Sequence, residues 1–60
     1  MNERLEYLES LLSLVHKKKV SAAVAASQAG LIEPHEDSIS ESAALFRLKW
    51  EAEVLRPENN

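Results

Sequence analysis

Along the N-terminal half of the chain, Leu5, Leu8, Leu11, Leu12 and Val15 recur at three- and four-residue intervals. Tyr7 and Leu14 widen that stripe, and Glu6, Glu9, Ser10 and Ser13 fill the opposite side. The pattern predicts an amphipathic helix over about residues 2–18. Asn2 is placed to cap its start, with Glu3 where the helix dipole favours an anion. The run His16-Lys17-Lys18-Lys19 complements the negative helix end.

The next segment, VSAAVAASQA from Val20 to Ala29, is rich in alanine, the strongest helix former. No Gly or Pro lies between Met1 and Ala29, so one unbroken helix of about 45 Å to Gly30 is open to the chain. That helix would leave Val20 and Val24 on the polar side. A break near residues 18–21, with Ser21 capping a second helix over about 21–30, avoids this and is the favoured reading. Gly30 followed by Leu31 fits a left-handed helix stop. Pro34 disfavours helix at Glu33, so residues 31–37 read as a loop.

Residues 38–55, SISESAALFRLKWEAEVL, break the one-stripe pattern. At ~100° per residue, Ile39, Ala43, Phe46, Trp50 and Val54 fall on one side of a helix. Ala44, Leu45, Leu48, Ala52 and Leu55 fall nearly opposite. Arg47 and Glu51 fill one seam, and Lys49, Glu53 and Arg56 the other. Ser38 and Glu41 have capping-box spacing, and Pro57 ends the run. Residues 57–60 read as a frayed tail.

A helix apolar on two sides needs two partners. The expectation places Phe46 and Trp50, with Ile39 and Val54, in the chain's own core, because large aromatics dominate small cores. It places Leu45, Leu48, Ala52 and Leu55 at an interface. Aromatics are also enriched at interfaces, so an inverted assignment stays open.

Composition narrows the picture. Sixty residues make one small all-α domain over about residues 1–56, a helical hairpin or mini-bundle of two or three helices. A core of this size rarely suffices unaided. The absence of Cys removes disulfides and thiolate metal sites. Completion by a second copy, as a homodimer, or by another protein is therefore expected. The net charge of −3 argues against a general nucleic-acid binder. No apolar run has the ~20 residues of a membrane span, and the expected location is cytoplasmic.

Candidate chemistry is sparse. His35 stands near Glu33, Glu36 and Asp37, without the alternating spacing of a calcium loop. The lone Gly30 makes no phosphate cradle, and no Ser sits in a Gly-flanked elbow. No enzyme activity, cofactor, metal or small-molecule substrate is expected. The expected function is a small helical module that binds and regulates a partner protein. Antitoxins, phage-encoded inhibitors and adaptor subunits are the analogous classes. The alternative is a DNA-binding regulator, since Ala26 and Gly30 before a loop and a helix outline a helix-turn-helix. Glu36, Asp37, Ser38 and Glu41 would then face the phosphates, which disfavours it.

Overall fold

A computed structural model describes residues 2–33 and 39–57. It contains helices α1 (Glu3–His16), α2 (Ala22–Gln28) and α3 (Glu41–Leu55) and, among the described residues, no strand. The fold is a small all-helical domain.

Each helix begins at a polar cap. Asn2 Oδ1 accepts from the Leu5 amide at 3.0 Å, and Glu3 and Glu6 occupy the first turn of α1. Ser21 Oγ accepts from the Val24 amide at 3.1 Å to open α2. Ser40, not Ser38, caps α3, its Oγ accepting from the Ala43 amide at 3.1 Å. Ser38 itself lies outside the described residues, as do His35, Glu36, Asp37 and residues 58–60.

The chain breaks after α1. Lys18 has φ +63°, the Lys18 amide donates to Val15 O, and the Lys19 amide donates to Leu14 O. This is the left-handed stop that Gly30 makes after α2. There φ is +77°, and the Gly30 and Leu31 amides donate to Ser27 O and Ala26 O. The break half-buries Val20 but leaves Val24 exposed, so only one of the two valines gains cover.

With seven residues, α2 is far below the ~12–15 at which an isolated helix becomes marginal in water. Its ends are held by the other helices. The Glu41 carboxylate accepts from the Ala22 amide and, at 3.3 Å, from the Ala23 amide. At the far end, Arg4 donates to Ala29 O at 2.6 Å, Tyr7 to Gln28 O at 3.4 Å, and Arg47 to Leu31 O at 3.1 Å. An anion thus meets the positive end of α2 and two cations meet its negative end. Glu41 touches the start of α2 and Arg47 reaches just past its end. Hence α2 and α3 run side by side in the same direction.

The core is built from Leu8 and Leu11 of α1, Ala22, Ala25 and Ala26 of α2, Ala29 and Ile32 beyond it, and Ala44, Leu48 and Ala52 of α3. Alanine supplies most of these positions, so the helices approach closely. Leu48, fully buried, sits between Ala44 and Ala52 at one-turn intervals. That row fits the alanine face of α2, and a close approach of two backbones leaves no room for an indole or a phenyl ring. The expectation that the Phe46–Trp50 side of α3 forms the core is therefore overturned. Leu48 and Ala52 are core, with Leu45 and Leu55 half-buried at its margin. Phe46, Trp50 and Val54 are outside it, and Ile39 packs partly against it.

Candidate interaction surface

The outer side of α3 carries Phe46, Trp50 and Val54, which are 66 %, 60 % and 57 % exposed. They lie one turn apart over about 12 Å of helix. The Phe46 and Trp50 rings stack along the helix, with centroids 6.5 Å apart and an interplanar angle of 19°. Ala43, exposed, precedes them on the same side, and half-buried Ile39 lies just before the helix.

Packing between helices explains the placement. Because α3 is clamped through Glu41 and Arg47, its rotation about its own axis is set: the Ala44–Leu48–Ala52 row must face α2. The opposite row then has nothing among the described residues to cover it. The signal for this is the size of the side chains facing one another. A run of alanines in α2 can pair closely only with another small row, and α3 offers one.

Charges flank the exposed row on both sides. Arg47 and Glu51 follow one edge, and Lys49 and Glu53 the other. Arg56 makes ion pairs with Glu9 at 3.3 Å and with Glu53 at 3.6 Å, tying the end of α3 to α1. Alongside Lys49 and Glu53 runs an open groove of about 580 Å³ between α1 and α3. Leu12, Val15 and His16 line it from α1, and Leu45 joins them from α3. The other exposed large apolar side chains are less gathered: Tyr7 and Leu14 stand two turns apart on α1, and Val24 is on α2.

Two roles escape a reading of local spacing. The spacing from Ser38 points Glu41 back along its own helix, whereas its carboxylate caps α2. Arg4 and Arg47 fall in no motif, yet both hold carbonyls at the end of α2. Contacts across helices carry no local spacing signal.

Among the described residues, no group of three His, Cys, Asp or Glu side chains is gathered as for a metal ion. None of the helices is long and apolar enough to cross a membrane. Compared with known proteins, the chain matches no family model, no curated protein and no solved structure.

Proposed function

We propose that this protein is a non-enzymatic interaction module that binds another protein chain through the outer face of α3. The observation that carries the reading is the Phe46–Trp50–Val54 row. Large apolar side chains gathered on one side of a helix mark association surfaces, whereas single exposed ones need no explanation. Full burial of each contributes about 1.5–3 kcal/mol. Aromatic anchors with a charged rim are the anatomy of an interface hot spot. Regulation of the bound partner, in the manner of an antitoxin, phage inhibitor or adaptor, is the role a domain of this size serves by covering a surface.

The DNA-binding reading has less support. Residues 29–40 separate α2 from α3, which is longer than the turn of a helix-turn-helix. The two helices also run side by side, and the first residue of α3 is a carboxylate turned to α2.

The test pairs two substitutions. Trp50→Ser with Phe46→Ser should abolish association while leaving the helix content near that of the parent and the melting transition near that of the parent diluted below its dissociation constant. Sizing would measure self-association, and affinity capture with mass spectrometry would identify any other bound chain. Leu48→Ala should instead cost about 2–5 kcal/mol and unfold the domain. Loss of fold in the Phe46/Trp50 variant, or undiminished association, would overturn the reading. Sequence-selective retardation of DNA fragments at moderate salt would favour the alternative.

A further inference from the structure

The charges that rim the exposed row are arranged in a particular order. Measured about the helix axis from Trp50, Arg47 and Glu51 lie about 60° and 100° to one side, at 100° per residue. Lys49 and Glu53 lie about 100° and 60° to the other side. Phe46 and Val54 sit about 40° to either side of the centre. Within the helix, each edge therefore holds one cation N-terminal to Trp50 and one anion C-terminal to it, while Arg56 at the C-cap pairs with Glu53 and with Glu9 of α1.

From this order we infer that the partner on the outer face of α3 is a second copy of this chain, packed antiparallel about a two-fold axis at Trp50. The inference rests on the proposal that this face is a docking surface, and adds what docks there. A two-fold axis perpendicular to the helix keeps each edge on its own side and reverses the order along it. On one edge Arg47 then comes beside Glu51 of the second copy. On the other, Lys49 comes beside Glu53 of the second copy. The symmetry repeats both pairings, so each of these four charges meets its opposite. Trp50 meets Trp50 at the centre, and Phe46 comes level with Val54 of the second copy. A C2 interface requires such a self-complementary patch.

Parallel packing fails the same test. It would set Arg47 beside Lys49 of the second copy and Glu51 beside Glu53, two like-charge contacts at each edge. Like charges across an interface disfavour the wrong register. The centre of charge symmetry also coincides with the bulkiest exposed side chain, so a single axis aligns the apolar row and both rims.

The experiment uses sedimentation velocity of the full chain at low ionic strength, where rim charges are least screened. The parent should dimerise. Lys49→Glu and Glu53→Lys should each weaken the dimer by roughly five- to tenfold, since each creates two like-charge contacts of surface strength. An equimolar mixture of the two variants should recover the parent's affinity. In the mixed dimer, the carboxylate introduced at position 49 of one variant meets the ammonium introduced at position 53 of the other. Circular dichroism should show unchanged helix content for both. A parent that stays monomeric to millimolar concentration would overturn self-pairing while leaving the docking face intact, provided the Phe46/Trp50 variant still loses a captured partner. A dimer insensitive to both charge changes, or strengthened by Glu53→Lys, would overturn the antiparallel arrangement. A dimer that survives Trp50→Ser with Phe46→Ser would overturn this inference and the docking face together.

Discussion

Two residues, Lys18 and Gly30, perform one backbone task with different chemistry. Both stand in the left-handed region and both close the helix before them by the same pair of amide-to-carbonyl bonds. Glycine reaches that conformation without steric penalty, whereas for lysine it costs about 1–2 kcal/mol. The Gly30 stop was legible in the sequence because only glycine advertises a positive φ. At Lys18 only the break was legible, from the misplaced valines, and not its left-handed backbone, since three consecutive lysines read only as a charge complement to the helix end. Lys18→Gly should therefore stabilise the domain by up to about 1 kcal/mol, seen as a higher denaturation midpoint with an unchanged denaturant slope. A lower midpoint would mean that the lysine side chain contributes more than its backbone costs.

Among the elements, α2 depends most on its neighbours. Its alanines favour helix, but seven residues do not sustain one alone. The Glu41 carboxylate satisfies two amides at its start, alongside the Ser21 cap. Glu41→Ala removes that acceptor and should cost about 1–2 kcal/mol. Hydrogen exchange would localise the effect: the amides of Ala22 and Ala23 should exchange faster, while those in the middle of α1 follow only global unfolding. Equal acceleration throughout the chain would show that α2 has no local opening of its own and that all three helices unfold as one unit.

At the scale of the whole molecule, a core built mostly of alanine gives a narrow stability margin. The largest fully buried side chains are Leu8 and Leu48, while the only Trp and the only Phe remain outside. The chain thus leaves much of its apolar content at the surface. If association covers the outer face of α3, it also stabilises each protomer by mass action. The melting temperature should rise by roughly 10 °C over a hundredfold increase in concentration above the dissociation constant. A concentration-independent transition would mean that the three helices are as stable alone as in any assembly.

The sequence by itself determined that this is an all-helical domain, where its leucine stripe lies, and that its last helix is apolar on two sides. Those properties follow from propensity, periodicity and caps, which act over a few residues. It also marked Ser21 and Gly30 as helix boundaries, because a hydroxyl and a glycine each solve a local backbone problem. Which side of α3 faces inward was decided only in three dimensions. Periodicity separates Phe46, Trp50 and Val54 from Ala44, Leu48 and Ala52, but it assigns neither row to the core. The choice belongs to packing: the alanine face of α2 brings its backbone close to α3, and only the smaller row fits that distance.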